Sequence, residues 1–244
     1  MSRFCLTIGW NEIPHLSTEQ KESMLAALPP HQRAARSEGT PQLGAGAIYP
    51  VVESDVVVPD MEIPLHWPRV WSMDVGWNRT AAVWAAWNRE NDIVYLYGEH
   101  YRGQAEPSIH AQAIKARGPW IPGVIDPASR GRAQHDGLQM LETYNGLGLD
   151  LETADNAREA GIYAVWERLS SGRLKVFQSL NNWRTEFRIY RRDEKGRVVK
   201  ENDHLMDATR YLIMSGLDRA KVKPTEKKNV IQLVSPGGNG NWMA

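Results

Sequence analysis

Three consecutive strand-like segments constrain the fold of this chain more than any other feature of its sequence. Residues 69–76, 81–88 and 93–101 are rich in apolar, β-branched and aromatic residues, and a polar turn over residues 88–92 separates the second segment from the third. Short separations of this kind join neighbouring antiparallel strands. The pattern therefore predicts a three-stranded antiparallel meander.

Helices and strands alternate after the meander. The pattern predicts helices over residues 107–116 and 133–147 and short strands over residues 123–126 and 149–153. Strands that alternate with helices in this way pair in parallel. Later elements are predicted over residues 156–170 (helix), 174–177 (strand), 181–190 (helix) and 203–218 (helix).

Three aspartates occupy positions that a purely structural role explains poorly. Asp74 lies within the apolar run WSMDVGW, and Asp126 ends the apolar strand GVI. An unpaired carboxylate in a buried strand is costly unless a cation compensates it, and open α/β sheets collect ligands at the carboxyl ends of their strands. Asp207 lies on the predicted helix 203–218, half embedded among apolar neighbours.

Carboxylates from two strands and a late helix form a minimal site for hard divalent cations. Mg²⁺ and Mn²⁺ prefer oxygen ligands, and two such ions about 4 Å apart can activate water and stabilise the leaving 3′ oxygen of a phosphodiester. Each aspartate taken alone is better explained by a loop cap or by an ion pair with an arginine. Taken together, Asp74, Asp126 and Asp207 favour a metal site.

Residues 71–218, about two thirds of the chain, resemble the nuclease domain of phage and prophage large terminase subunits, which package DNA and cut concatemeric genomes. The resemblance lies in the segments MDVGWNRTAAVW, GVIDPASRGR and NDHLMDATRY, the last of which follows the family pattern H-x-x-D-A-x-R-Y. It implies an α/β fold of the ribonuclease-H-like class, with a central mixed β-sheet flanked by helices.

The resemblance also implies which residues are catalytic. Asp74, Asp126 and Asp207 would bind Mg²⁺ or Mn²⁺ as a two-ion site. His204 matches the pattern three residues before Asp207 and is expected either to act at the metal centre or to be a surface histidine beside Asp203. Asp203 is the weaker candidate, since aspartate is common as the cap of a helix.

The implied activity is that of a metal-dependent endodeoxyribonuclease that cuts double-stranded DNA with little sequence specificity during phage genome packaging. The metal triad alone fits a second enzyme class equally well, namely another ribonuclease-H-like nuclease such as a hybrid nuclease or a junction resolvase. A third interpretation is a non-catalytic module that docks on the portal or the motor. The family motifs and the intact aspartates favour the first interpretation.

Four segments are expected along the chain. Residues 1–42 resemble the end of the family's ATPase domain, residues 43–68 are a Gly-, Pro- and Val-rich linker, residues 69–220 form the nuclease domain, and residues 221–244 form a flexible tail. The chain lacks the G-x-x-x-x-G-K-[ST] phosphate loop, so we expect no ATP site in it. The partners implied are DNA, the ATPase domain, the small terminase subunit and the portal.

Basic residues are concentrated in one segment although the net charge of the chain is zero. Residues 168–200 contain ten Lys or Arg and three acidic residues. A one-signed excess of this kind suits a DNA backbone, although charge on a hairpin edge also prevents strand-to-strand aggregation. The predicted DNA contacts are Arg184, Arg188, Arg191, Arg192, Lys195, Arg197 and Lys200, together with Arg130 and Arg132 in the loop after Asp126.

Composition sets the remaining expectations. The single cysteine, Cys5, excludes an internal disulfide, and no apolar run is long enough to span a bilayer, so a cytoplasmic protein with no membrane contact is expected. Four of the ten tryptophans, Trp71, Trp77, Trp84 and Trp87, lie along the predicted strands and are expected to fill the core rather than to stack on bases.

Overall fold

One mixed sheet organises the part of the chain that the structure describes. The computed structural model describes residues 9–10, 16–27, 33, 37, 46–126 and 136–224. Within them the sheet has seven strands: β1 (Val57–Val58), β2 (Arg69–Asp74), β3 (Thr80–Asn88), β4 (Ile93–Arg102), β5 (Gly123–Ile125), β6 (Leu151–Thr153) and β7 (Leu174–Phe177). Their order across the sheet is β1-β7-β4-β3-β2-β5-β6.

Strand pairing confirms both predicted patterns. Strands β2, β3 and β4 form the antiparallel meander, with Trp71 opposite Trp84. On one side β5 pairs in parallel with β2, and β6 with β5. On the other side β7 pairs in parallel with β4, and β1 with β7. The sheet is therefore mixed, and β2 lies between an antiparallel and a parallel neighbour.

Six helices flank this sheet among the described residues: α2 (Glu53–Val56), α3 (Pro107–Lys115), α4 (Asp136–Gly146), α5 (Arg158–Ser170), α6 (Asn181–Ile189) and α7 (His204–Tyr211). Helix α1 (Thr18–Ala26) precedes them in the sequence. The single helix predicted over residues 203–218 is instead α7 followed by a π turn over Leu212–Gly216 and a 3₁₀ turn over Leu217–Arg219. None of the described helices is long and apolar enough to cross a membrane.

Helix α7 is the central helix of the fold. It packs on β2 and β3 on one side and against α5 and α6 on the other, so every residue from Leu205 to Tyr211 is buried. The Ser72 hydroxyl donates to the Ala208 carbonyl at 2.6 Å, and the Trp183 indole donates to the Thr209 hydroxyl at 2.8 Å. These contacts fix the helix against the sheet from both sides.

The opposite face of the sheet has its own apolar core. Trp71 and Trp84 stack there with ring centroids 5.9 Å apart, packed against residues of α3 such as Ile114. A Cβ at Gly123 would lie 2.4 Å from the Trp71 ring, so only glycine at this position of β5 leaves room for the indole. The core thus places β5 directly beside β2.

Part of the predicted linker is built into this domain. Ile48, Tyr49 and Val56 are buried, and the Ile48 amide donates to the Tyr190 carbonyl at 3.1 Å. The same segment supplies the edge strand β1, because Val57 and Val58 pair with β7. The domain boundaries themselves remain predictions.

The N-terminal helix α1 is stabilised locally rather than by packing. Its cap is Ser17, whose hydroxyl accepts from the Gln20 amide while the Gln20 side chain accepts from the Ser17 amide. None of its residues is buried. Most of the remaining residues of 1–42 lie outside the described residues, as do residues 225–244 of the predicted tail.

Candidate metal centre and nucleic-acid interface

The two strand aspartates lie at adjacent strand ends. Asp74 is the last residue of β2, and Asp126 directly follows β5. The strands are parallel with Met73 opposite Ile125, and the Asp126 amide donates to the Met73 carbonyl at 3.1 Å. Both carboxylates therefore project from the same edge of the sheet, as the sequence predicts.

Helix α7 brings His204 to this edge. His204 Nδ1 lies 2.8 Å from Asp74 Oδ2, although 130 residues separate the two in sequence. The pKa of Asp74 is raised to about 6, and burial is the largest cause. The hydrogen bond with His204 acts in the opposite direction, whereas the nearby Asp126 and Asp207 carboxylates add to the rise. In turn, the bond to Asp74 raises the pKa of His204. His204 is thus part of the carboxylate cluster rather than a surface histidine.

Asp207 pairs with a buried arginine. Arg210 is fully buried, and its Nη2 and Nε lie 3.1 and 3.3 Å from Asp207 Oδ1. Asp207 is the only carboxylate that pairs with Arg210 in the described part of the chain. A Cβ at Gly161 of α5 would lie 2.3 Å from the Arg210 side chain, so the glycine makes room for it.

Asp126 is held by the residue that follows Arg210. The Tyr211 hydroxyl donates to Asp126 Oδ1 at 2.9 Å, and both side chains are buried. Burial, and then the negative charges of Asp207 and Asp126, raise the pKa of Tyr211. Arg210 and Tyr211 belong to the D-A-x-R-Y motif, but the motif gave no indication that each would hold a different aspartate.

The cluster is arranged around carboxylates with separate partners. His204 contacts Asp74, Tyr211 contacts Asp126 and Arg210 contacts Asp207. Within the described residues, no three His, Cys, Asp or Glu side chains converge as they stand on a point that could hold a metal ion. Carboxylate oxygens are the ligand type that hard cations prefer, and Asp126 and Asp207 lie near enough to raise the pKa of Asp74.

A carboxylate from another helix caps α7. Glu186 of α6 is almost fully buried, and its Oε2 accepts from the Leu205 amide at 2.6 Å while its Oε1 accepts from the Tyr101 hydroxyl at 2.6 Å. Asp203, the cap expected from sequence, makes no capping hydrogen bond through its side chain. Sequence reasoning missed Glu186 because no local pattern distinguishes it from a solvated acid.

The basic segment divides into paired and unpaired cations. Arg184 and Arg188 both bind Glu53, with Nε–Oε distances of 2.7 and 2.6 Å, and Arg192 binds Glu159 at 2.6 Å. A turn is present at Lys195-Gly196, with Gly196 at φ 74°. Among the described residues no ion pair involves the other basic side chains of residues 190–200: Arg191, Lys195, Arg197 and Lys200. Arg130 and Arg132 lie outside the described residues.

One tryptophan departs from the predicted core role. Trp71 and Trp84 are buried and Trp87 is half-buried, but 64% of Trp77 is exposed. The difference arises because β2 ends at Asp74 and β3 begins at Thr80, so Trp77 lies in the loop between them.

A comparison with protein families gives the class of this chain. Residues 71–215 match the model of the terminase RNaseH-like domain. The match covers more than half of the chain, and the chain therefore belongs to this family. The ribonuclease-H-like fold expected from the sequence is confirmed.

Individual relatives are phage proteins. The chain is 31% identical over 229 residues to the large terminase subunit of Salmonella phage P22, which covers 88% of this chain and 45% of that protein. It is also 31% identical over 214 residues to the large subunit of Enterobacteria phage LP7, covering 83% of this chain and 44% of that protein. The chain thus spans less than half the length of these relatives.

Solved structures agree with this placement. The P22 large terminase nuclease domain superposes with a TM-score of 0.67 at 29% identity, covering 73% of this chain and 96% of that one. The large terminase of a thermophilic bacteriophage, solved in complex with ADP, gives a TM-score of 0.61 at 19% identity, covering 85% of this chain and 54% of that one. At 19% identity, the likeness to the thermophilic phage protein shows a shared fold.

Proposed function

We propose that this chain is a divalent-metal-dependent endodeoxyribonuclease that cuts double-stranded DNA, with little sequence specificity, during phage genome packaging. One observation carries the proposal. Asp74 and Asp126 end adjacent parallel strands, and the helix that bears Asp207 places His204 within hydrogen-bond distance of Asp74. Membership of the terminase RNaseH-like family and the likeness to the P22 nuclease domain support it.

The three aspartates would hold Mg²⁺ or Mn²⁺, as a two-ion site, through their carboxylate oxygens. Bound ions supply an activated water and stabilise the leaving 3′ oxygen of the phosphodiester. The support from this chain is electrostatic: Asp74 is largely buried, and burial together with two nearby carboxylates opposes its ionisation. A dication relieves such a charge cluster more effectively than a single histidine can.

The neighbours of the aspartates orient this site. Arg210 and Tyr211 fix the carboxylates of Asp207 and Asp126 through hydrogen bonds of 3.1 and 2.9 Å. His204 contacts Asp74 through Nδ1, and its side chain keeps 32% exposure, so Nε2 is the ring nitrogen that would accept or donate a proton at the cleaved bond. His204 is therefore proposed to act beside the metal ions.

Duplex DNA would be held by the hairpin that leads into α7. Its cations Arg191, Lys195, Arg197 and Lys200 are free to contact phosphates, and Lys200 precedes His204 by only four residues. Arg184, Arg188 and Arg192 are proposed to contribute less, because carboxylates already neutralise them. Arg130 and Arg132 follow Asp126 in sequence and are proposed as further phosphate contacts.

The working assembly would include more than this chain. Since the relatives are about twice as long, we propose that an ATPase domain acts with residues 69–220, and that the small terminase subunit and the portal are the other partners. Cleavage would then take place in the cytoplasm of the host during packaging.

A plasmid-cleavage assay tests the proposed activity. Supercoiled DNA should be linearised or degraded with Mg²⁺ or Mn²⁺ and remain intact with EDTA, and Asp126→Asn should abolish cleavage because it removes charge from the metal site. The matched control is Asp55→Asn, an exposed aspartate outside the cluster, which should cleave as the wild type does. A folded wild-type protein that cuts no DNA with either metal contradicts the proposal.

A further inference from the structure

An exposed indole closely follows one aspartate of the candidate metal centre in the sequence. Trp77 follows Asp74 by three residues and keeps 64% of its surface exposed, whereas Trp71 and Trp84 are fully buried. Exposing a large apolar ring to water forgoes the free energy that burial would provide. Tyrosine and tryptophan rings in such positions commonly form binding surfaces.

The loop that bears Trp77 is held in place. The Gln104 amide donates to the Trp77 carbonyl at 2.8 Å, and the Thr80 hydroxyl donates to the Gly76 carbonyl at 3.1 Å. The backbone at Gly103 approaches so closely that a Cβ there would lie 2.0 Å from the Asn78 carbonyl oxygen. The indole is therefore presented on a loop anchored to the end of β4, which reduces the entropy lost when it binds a ligand.

Two arginines lie at the end of the sheet where the loop of Trp77 begins and ends. Thr80, the first residue of β3, pairs with Arg102, the last residue of β4. The Arg79 guanidinium lies over the Tyr101 ring, 4.3 Å from its centroid, and Arg102 is exposed. In the described part of the chain neither arginine pairs with a carboxylate, so this end of the sheet carries an exposed indole and two cations without a counter-charge.

We propose that Trp77 stacks on an unpaired nucleobase beside the cleaved bond, while Arg79 and Arg102 contact the neighbouring phosphates. Aromatic rings with flanking cations are the ordinary platform for single-stranded DNA, whereas paired bases keep their faces inside the duplex. Three residues span at most roughly 11 Å, and nucleotides repeat about every 3.4 Å along a strand. The stacked base would therefore lie within a few nucleotides of the cleaved phosphate.

This inference rests on the proposed function, because it assumes that DNA reaches Asp74. It goes beyond phosphate contact by the basic hairpin, since it predicts a preference for DNA that is locally open, such as a gap or a frayed end. Phosphate contacts alone would not distinguish open from paired DNA of the same length and charge.

Binding to gapped DNA tests the stacking directly. We would use the whole chain with Asp126→Asn to prevent cleavage, and DNA duplexes that carry 2-aminopurine either in a three-nucleotide gap or fully paired. Trp77→Ala should weaken binding to the gapped DNA by about 5- to 100-fold, because base–aromatic stacking contributes that much, and should abolish the quenching of 2-aminopurine fluorescence. Trp77→Phe should retain most of both, and binding to paired DNA should change less than about twofold.

The control variant is Tyr163→Ala. Tyr163 is also 64% exposed but lies on α5, away from the loop of residues 75–79, so its loss should leave both measurements unchanged. Thermal melts would verify that each variant is folded.

Each other outcome has a distinct meaning. If the Asp126→Asn protein with Trp77 intact binds neither DNA, the proposed function itself fails. If it binds both, and adding Trp77→Ala leaves binding to gapped DNA unchanged, only the stacking inference is overturned. The inference is also overturned if Trp77→Ala weakens binding to gapped and paired DNA equally and leaves the fluorescence quenching unchanged. Trp77 would then be a general contact in the groove of the DNA. The inference is also overturned if Trp77→Ala binds both DNAs normally but no longer binds a separately expressed ATPase domain. Trp77 would then belong to a protein interface.

Discussion

At the residue scale, the three aspartates differ in what they do for the folded protein. Asp207 neutralises Arg210, which is fully buried and has no other carboxylate partner among the described residues. Asp74 is in the opposite situation, because burial and two nearby carboxylates raise its pKa to about 6. Replacing each by asparagine should therefore give different stabilities even though both changes should abolish cleavage.

We expect Asp207→Asn to lower the free energy of unfolding by about 3–5 kcal/mol, since it leaves a buried guanidinium without a counter-charge. Asp74→Asn should change it by less than about 1 kcal/mol, because it removes a carboxylate that repels its neighbours in the absence of metal. Urea denaturation with EDTA present would measure both. Equal stability of the two variants would contradict the assigned role of Arg210.

At the element scale, the position of α7 depends on a cap supplied by α6. The amides of the first turn of a helix have no partner within the helix, and a carboxylate at this end is favoured by the helix dipole. Glu186 supplies that carboxylate to the Leu205 amide and is itself held by the Tyr101 hydroxyl. The turn that it caps carries His204 and Asp207, so Glu186 is a positioning residue for the candidate site.

Glu186→Ala should lower the free energy of unfolding by about 1–3 kcal/mol, because it leaves a buried amide without an acceptor. Cleavage should also fall at temperatures where the variant remains folded, since His204 and Asp207 lose their fixed position. Glu186→Gln should restore most of the cleavage, because a carboxamide oxygen can still accept from the Leu205 amide. If the glutamine variant cleaves no better than the alanine variant, the cap does not position the site.

At the scale of the whole molecule, the described parts of the chain differ in how strongly they are anchored. Helix α1 has a capping box and none of its residues is buried, so its support within the described residues comes from local hydrogen bonds. Short isolated helices are marginal in water. By contrast, Ile48, Tyr49 and Val56 of the predicted linker are buried in the core of the sheet domain.

Amide hydrogen exchange should reveal this difference. We expect the amides of α1 to exchange close to the rate of an unfolded chain, while residues 48–58 and the strands of the meander are protected together. Protection of α1 equal to that of β3 would contradict the expectation and indicate a packed N-terminal subdomain. If the amides of residues 48–58 exchange rapidly, that segment is a linker, as the sequence predicted, rather than part of the folded domain.

The sequence by itself determined most helices and strands and the strand ends at which Asp74 and Asp126 lie. Apolar runs bounded by polar turns or helices mark buried strands, so the meander and the later parallel strands could be predicted. The carboxyl ends of β2 and β5 followed, and with them the positions of Asp74 and Asp126. The pattern H-x-x-D-A-x-R-Y placed His204 and Asp207 on one helix. The capping box of Ser17 with Gln20 is likewise a local feature, because only three residues separate the two.

Only the tertiary structure decided which charged and aromatic side chains are free. Arg188 finds Glu53 across 135 residues, and His204 finds Asp74 across 130. Glu186 reaches the start of α7 from a neighbouring helix, and Trp77 is exposed because its strand ends three residues earlier. The physical reason is that periodicity records whether a position faces the core, whereas an ion pair, a cap or an open binding surface depends on which distant segment lies beside it.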